Sequence, residues 1–140
     1  MTEKQKNLCF YRISQAEETI GSANLCLENS FYKDAINRSY YAAFYGVKAV
    51  LALENVDFKR HKDVIAYFNR NYVATGYFQG SIGHLLARLQ KKRETSDYDD
   101  FFIASYKEAR EQLEAAENIL REIKKFIESQ GVSRFFQNNI

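Results

Sequence analysis

The chain contains no proline in its 140 residues, and this feature constrains the fold more than any other. Proline is the residue that breaks helices and shapes many tight turns. Apolar residues also recur at intervals of three and four over long stretches, which places them on one side of an α-helix. Both features predict an all-α fold and disfavour a β-sandwich, which usually shows turns rich in glycine and proline.

The apolar stripes predict an up-and-down helical bundle of three long and two short helices. The long helices are expected at residues 2–28, 31–54 and 100–129, and the short ones at residues 59–71 and 81–92. The second helix carries two apolar rows side by side, which is typical of a central helix. We assign the bundle to residues 1–130 and a C-terminal tail, with Phe135 and Phe136, to residues 131–140. The tail is either frayed or docked on a partner.

Targeting and cysteine signals indicate the compartment. The charged N-terminus is not followed by the apolar core of a secretory signal, and no stretch reaches the roughly 20 apolar residues of a membrane span. Cys9 and Cys26 would lie about 25 Å apart on one helix, beyond disulfide reach. There is no Cys/His cluster with metal-ligand spacing. We therefore expect a cytoplasmic protein with reduced thiols and with no membrane contact, metal or cofactor.

Charge is distributed unevenly along the chain. Residues 31–93 carry 11 basic and 4 acidic side chains, a net charge of +7, whereas the segments before and after carry net charges of −1 and −4. A basic middle segment can hold phosphate groups. Alternatively, oppositely charged faces of one bundle pair with each other. Charge alone leaves both interpretations open.

Arg38 is the most informative residue because it lies inside the most apolar predicted helix. A guanidinium in such a place needs anionic partners, since its burial costs several kcal/mol otherwise. One hypothesis is an ion pair with Asp34, one turn earlier, or with Asp97. The other is that Arg38 reaches a cleft lined by Tyr41 and binds phosphate with two parallel hydrogen bonds.

Two further polar segments contain candidate site residues. His61 lies among basic residues at a predicted helix start, which is either an anion site or a solvated basic turn. Those neighbours should lower the pKa of His61. His84 falls in an apolar stripe and is predicted to be structural. The basic run ending at Arg93 should end one helix, and the acidic run containing Asp97 should lead into the next.

The order of these motifs resembles the HEPN domain family, in its compact, stand-alone prokaryotic branch. The resemblance rests on Asn37-Arg38-Ser39-Tyr40-Tyr41-Ala42-Ala43-Phe44, then His61-Lys62, Gly76, and Arg93-x-x-Ser96-Asp97-Tyr98-Asp99, and covers about residues 4–127. It implies a helical bundle, a homodimer and often a toxin–antitoxin pairing with a minimal nucleotidyltransferase. The matching positions imply roles in nucleotide binding or in holding the bundle together: Arg38, Tyr41, His61, Arg93, Asp97 and Tyr98.

Many HEPN proteins are metal-independent ribonucleases in which an arginine is followed four to six residues later by a histidine. No arginine of this chain has a histidine at that spacing. The first hypothesis is therefore a nucleotide- or RNA-binding interaction module that works with a nucleotidyltransferase. The alternative is a divergent ribonuclease toxin in which His61 is the general base and Arg38 or Arg93 stabilises the phosphorane.

Overall fold

The computed structural model of the protein describes residues 1–132, which form five α-helices and no strand. The helices are α1 (Glu3–Glu28), α2 (Tyr32–Ala52), α3 (His61–Phe68), α4 (Gly80–Tyr98) and α5 (Tyr106–Ile127). Short π-helical turns follow α3 at Asn69–Val73 and α5 at Glu128–Val132. The predicted all-α bundle is confirmed.

Helix α1 begins where the sequence places a capping residue. The Thr2 hydroxyl accepts a hydrogen bond from the Gln5 amide at 3.1 Å, and the Gln5 side chain accepts one from the Thr2 amide at 2.7 Å. This reciprocal pair satisfies two amides that a helix start leaves unpaired. The buried side of α1 then repeats every three or four residues, at Cys9, Ile13 and Ala16 among others.

Helix α2 is the centre of the bundle, because it packs against α1, α3, α4 and α5. Small residues let its neighbours approach closely. A Cβ atom added to Gly46 would lie only 3.1 Å from the Ile123 Cδ1 atom and 3.4 Å from the Leu120 Cδ1 atom, both on α5. The doubled apolar stripe of the sequence therefore corresponds to a helix covered on several sides.

Helix α4 is longer than predicted and α5 starts later. The sequence placed a break after residue 92, but α4 runs on to Tyr98. Charge misled the prediction, because Arg93 and Asp97 are four residues apart on one helix and pair at 3.0 Å. Helix α5 begins at Tyr106, capped by the Ser105 hydroxyl, which accepts from the Glu108 amide at 3.1 Å. Four helices are thus long and one is short.

The connection between α4 and α5 exposes apolar side chains. Phe101 is 93% exposed, Ile103 is 87% exposed, and Tyr98 and Tyr106 on either side are exposed as well. We call these four residues the loop patch. Between them, Phe102 is half-buried and packs on the end of α2 beside Cys26 and Tyr32. One end of the bundle therefore presents an apolar surface outside its own core.

The two thiols have different environments. Cys9 is fully buried, and burial raises the pKa of its thiol to about 12, whereas Cys26 is half-buried. None of the helices within residues 1–132 is long and apolar enough to cross a membrane. Gly131 has a φ of 84°, in the left-handed region that favours glycine. The remainder of the predicted tail, with Phe135 and Phe136, lies outside the described residues.

Candidate functional site

Polar side chains from three helices converge on Tyr41, which lies on α2. The Nη2 atom of Arg93 donates to the Tyr41 hydroxyl at 3.1 Å, the Arg38 guanidinium carbon lies 5.2 Å from the ring centre, and the His61 ring meets it edge-on at 5.6 Å. We call these four residues the Tyr41 cluster. Residues far apart in the sequence are brought together because α4 and the start of α3 both pack against α2.

Arg93 is held by aromatic rings and one carboxylate. Its guanidinium carbon lies 5.2, 5.4 and 5.9 Å from the ring centres of Tyr40, Tyr41 and Tyr98. Its Nε atom lies 3.0 Å from the Asp97 carboxylate, and its side chain is 17% exposed. Burial opposes the charged form, but Tyr41, Asp97 and the other tyrosines outweigh burial and raise the pKa of Arg93. The group is a permanent cation in a largely aromatic setting.

Arg38 does not contact Asp97 or Asp34, so the predicted ion pair is wrong. Its Nε and Nη2 atoms donate instead to the Asn37 amide oxygen, at 3.1 and 2.7 Å. The Asn37 amide nitrogen donates in turn to Asp97 at 3.3 Å. The physical reason is that Asp97 already pairs with Arg93 on its own helix. Within residues 1–132, Arg38 therefore keeps a positive charge that no carboxylate neutralises.

His61 lies at the start of α3 against two rings of α2. It stacks on Phe44 at 4.1 Å, and its Nδ1 atom lies 3.3 Å from the Tyr40 hydroxyl, whose pKa burial raises to about 12. Burial, followed by the charges of Arg93 and Lys48, lowers the pKa of His61. The predicted direction holds, but the responsible charges come from α2 and α4 and not from the adjacent basic residues. The lowered pKa favours the uncharged imidazole, and the tautomer of His61 sets which partner donates in its hydrogen bond with Tyr40.

A second layer of charges positions Lys48, which faces the site from α2. Asp57, in the loop before α3, pairs with Lys48 at 3.5 Å and with Arg12 of α1 at 3.2 Å. Arg12 also donates to the backbone carbonyl of Lys48 at 2.8 Å. Sequence reasoning missed this layer because its members lie on three separate elements. The signal that existed was the charge of Lys48 and Arg12 on otherwise apolar helix faces.

Asn37 and Phe44 are the other residues whose roles the sequence did not reveal. Adjacent residues on a helix do not normally face each other, so spacing gives no reason to join Asn37 to Arg38. Phe44 was expected in the core, and it is buried, but it also forms the surface on which His61 stacks. The prediction that His84 is structural is wrong, because His84 is exposed on α4 although it falls in an apolar stripe of the sequence.

The Tyr41 cluster opens to solvent at the end of α4. A shallow cleft there is lined by Arg93, Glu94, Thr95, Tyr98 and Asp99. Tyr98 is 74% exposed, so one face of its ring is available beside the Arg93 guanidinium. All six residues proposed from the sequence therefore lie in one neighbourhood, with two guanidiniums, one imidazole and one carboxylate at its centre. No group of three or more His, Cys, Asp or Glu suited to a metal ion occurs within residues 1–132.

Comparisons with known proteins agree on one family. A family model described as the HEPN domain matches residues 11–126. A UPF0332 protein of Thermotoga maritima is 35% identical over 128 residues, which span 91% of this chain and 96% of that protein. Two proteins of Methanocaldococcus jannaschii also match. "Putative toxin MJ0605" is 36% identical over 61% of this chain and 64% of its own length, and "Putative toxin MJ0142" is 26% identical over 91% and 86%.

Proposed function

The chain belongs to the HEPN domain family, and we propose that it is a toxin-like module that binds the phosphate groups of RNA or of a nucleotide at the Tyr41 cluster. The names of the two archaeal relatives support the toxin-like role. Charge supports the ligand, because Asp97 pairs with Arg93 while Arg38 is held by the neutral amide of Asn37. A phosphate is the anion that such a pair of guanidiniums recognises best.

The observation that carries this proposal is the state of Arg38. Its guanidinium is half-buried and held in place by a neutral amide, so its orientation is fixed while its charge stays available. Tyr98 offers an exposed ring on the same side of the site, next to Arg93. Stacking of a base on such a ring and pairing of its phosphate with arginine are the two contacts that single-stranded nucleic acid makes most often.

Binding of a fluorescently labelled ten-nucleotide RNA, measured by anisotropy at several salt concentrations, tests the proposal. Arg38→Gln should weaken binding about fivefold to tenfold and reduce the salt slope by about one, because one phosphate contact is lost. Arg110→Gln, a matched change of an exposed arginine on α5, should leave both unchanged. Equal affinity and equal slope for wild type and Arg38→Gln would contradict the proposal.

We also propose the partners that the family suggests: a second copy of the chain, and a minimal nucleotidyltransferase that acts as antitoxin in the cytoplasm. The loop patch supports the first partner, since large exposed apolar residues mark interaction surfaces. Expression of the protein alone and with the product of the adjacent gene, scored for growth and for co-purification, tests the second. Poisoning of growth alone, relieved by a co-purifying nucleotidyltransferase, is the expected result.

A divergent ribonuclease is the second candidate function, and His61 is the observation that favours it. Burial and the nearby charge of Arg93 lower its pKa, which favours the uncharged imidazole that a general base needs. In this reaction His61 takes the proton of a ribose 2′-hydroxyl, and the 2′-oxygen attacks the adjacent phosphorus. The P–O5′ bond breaks, a 2′,3′-cyclic phosphate forms, and the 5′-oxygen leaves with a proton from water. Arg38 and Arg93 stabilise the charged phosphorane. His61→Ala protein that still cleaves RNA would exclude this role.

A further inference from the structure

A second cavity lies at the C-terminal end of α2. The proposed function does not involve this cavity. It is formed where α2 ends, at Leu53 and Glu54, against the π-helical turn and α5. Tyr72, Tyr77 and Phe126 line it, together with Met1, Asn71 and Gln130. Glu54 is 13 residues beyond Tyr41, which corresponds to roughly 20 Å along a helix. The cavity is therefore separate from the Tyr41 cluster.

Three aromatic rings form the walls of this cavity. The ring centres of Tyr72 and Phe126 are 5.6 Å apart with an interplanar angle of 87°, and those of Tyr77 and Phe126 are 5.8 Å apart at 80°. Tyr72 and Tyr77 are 5.9 Å apart at 51°. These edge-to-face contacts pack the three rings together along one wall of the cavity. Tyr77 is exposed, so its ring offers a face that can attract a cation at the mouth of the cavity.

Glu54 supplies the only carboxylate among the residues that line the cavity. Its oxygens accept hydrogen bonds from the hydroxyls of Tyr72 and Tyr67, the latter at 3.4 Å. No lysine or arginine within residues 1–132 pairs with it. Arg70 lies 6.0 Å from the centre of the Tyr67 ring and does not line the cavity. Glu54 is therefore held by two neutral phenols, and within residues 1–132 no lysine, arginine or N-terminal amine lies within ion-pair distance of it.

The same constellation occurs elsewhere in this molecule with its cation in place. Arg93 lies among three tyrosine rings, at 5.2 to 5.9 Å, beside the carboxylate of Asp97. The second cavity has three aromatic rings and the carboxylate of Glu54, and residues 1–132 provide no arginine or lysine to fill it. We propose that this cavity binds a guanidinium group from another molecule. We call it the Glu54 pocket.

A guanidinium fits the Glu54 pocket better than an alkylammonium does. It is planar and weakly hydrated, so it stacks on ring faces at a lower desolvation cost, and its fork of donors matches a carboxylate. The group can come from a small guanidino compound or from an arginine side chain of a protein partner. Both sources place the same chemistry in the pocket, and only the size of the attached molecule differs.

Titration with n-butylguanidinium, followed by NMR of the backbone amides, tests the proposal. The neutral isostere n-butylurea, which has the same shape without the charge, is the matched control. We expect saturable shifts at Glu54, Tyr72 and Tyr77 with the guanidinium and no saturation with the urea. Equal responses to both compounds, or shifts confined to the Tyr41 cluster, would overturn the proposal.

Variants connect the response to the pocket. Glu54→Gln should weaken n-butylguanidinium binding about fivefold or more, and Tyr77→Leu about twofold to fivefold, because the first removes the charge and the second an exposed aromatic face. Glu28→Gln, an exposed acid at the end of α1, should have no effect. Binding that survives in folded Glu54→Gln protein at wild-type strength contradicts the assignment.

A second titration identifies the source of the group. The peptide acetyl-Gly-Arg-Gly-amide is compared with the same peptide carrying citrulline in place of arginine. Binding of the arginine peptide at least as tight as that of n-butylguanidinium indicates a side chain of a partner. Binding of n-butylguanidinium alone indicates a small guanidino compound. The RNA-binding experiment with Arg38→Gln is independent of both results, so either proposal can fail without the other.

Discussion

Arg93 shows how one side chain can join two helices and act on a third through its charge. Its guanidinium joins Tyr40 and Tyr41 of α2 to Asp97 and Tyr98 of α4, and it influences His61 of α3. We predict that Arg93→Ala lowers the free energy of unfolding by about 2–3 kcal/mol, somewhat less than the loss of a fully buried partner. Urea denaturation measures this loss.

The matched control for Arg93 is Arg110→Ala. Arg110 also pairs with an acid four residues later, Glu114, but its side chain is 60% exposed. Its loss should change stability far less than the loss of Arg93, as exposed pairs contribute little. Similar losses for Arg93→Ala and Arg110→Ala would show that the aromatic setting of Arg93 adds no stability.

His61 should make stability depend on pH. Its pKa is lowered in the folded protein, so between that value and the unfolded value of 6.5 the unfolded chain binds more protons. Stability should therefore fall as the pH drops below about 6.5, and His61→Gln should flatten that fall. Urea denaturation at pH 7.5 and pH 5.0 measures the difference. Lys48→Met removes one of the charges that lower this pKa, so NMR titration should show a higher pKa for His61.

Arg38 marks the limit of sequence reasoning at the scale of single residues. Its place in an apolar helix indicated correctly that its guanidinium needs a partner, and Tyr41 was the correct neighbour. The partner was wrong, because Arg93 competes for Asp97 from four residues away on the same helix. Sequence spacing shows which groups can meet but not which of two competing pairs forms.

At the scale of elements, helix type was predictable and helix ends were less so. Thr2 caps α1, and a threonine before an apolar stripe is a local signal that the sequence displays. The end of α4 was missed because basic residues followed by acids can either separate two helices or pair within one. Ser105 and Glu108 form the actual start of α5. Their spacing matches the capping box, so the sequence contains the signal for this helix start.

The α2–α5 contact gives a prediction at this scale. Gly46 faces Ile123 and Leu120 at distances that leave no room for a larger side chain, whereas Gly21 on α1 has nothing within 4 Å of its Cβ position. Gly46→Leu should destabilise the protein by about 1–3 kcal/mol through overpacking. Gly21→Leu should stabilise it by about 0.5 kcal/mol, because leucine favours a helix. Thermal unfolding followed by circular dichroism compares the two, and a stabilised Gly46→Leu protein would refute the close contact.

At the scale of the whole molecule, the loop patch predicts self-association. Phe101 and Ile103 are almost fully exposed, so charging them should cost the folded monomer little. The double variant Phe101→Asp, Ile103→Asp should convert the proposed dimer to a monomer, measured by light scattering at micromolar concentration. Tyr11→Asp, at an exposed ring on α1, should leave the dimer intact. Wild-type protein that is monomeric at these concentrations contradicts the proposed dimer.

The sequence predicted the bundle and the membership of the candidate site better than it predicted contacts. Periodicity reports which residues face inward, and that is enough to determine an all-α fold with α2 at its centre. Periodicity could not predict the Glu54 pocket, because its walls come from α2, the π-helical turn and α5. In addition, aromatic residues at helical spacing have the same pattern as ordinary core residues. Only packing shows which of them leave a cavity.

Because the two cysteines are unequally buried, a thiol-reactive label should attach to Cys26 and not to Cys9. Maleimides react with thiolates, and Cys9 is fully buried with a pKa raised to about 12, so it stays inert while the fold persists. Cys26 is half-buried and packs near Phe102, beneath the loop patch. A single fluorophore on the unaltered sequence would therefore sense partners arriving at that end of the bundle. Incorporation of a second fluorophore, at Cys9, would record the moment the core opens.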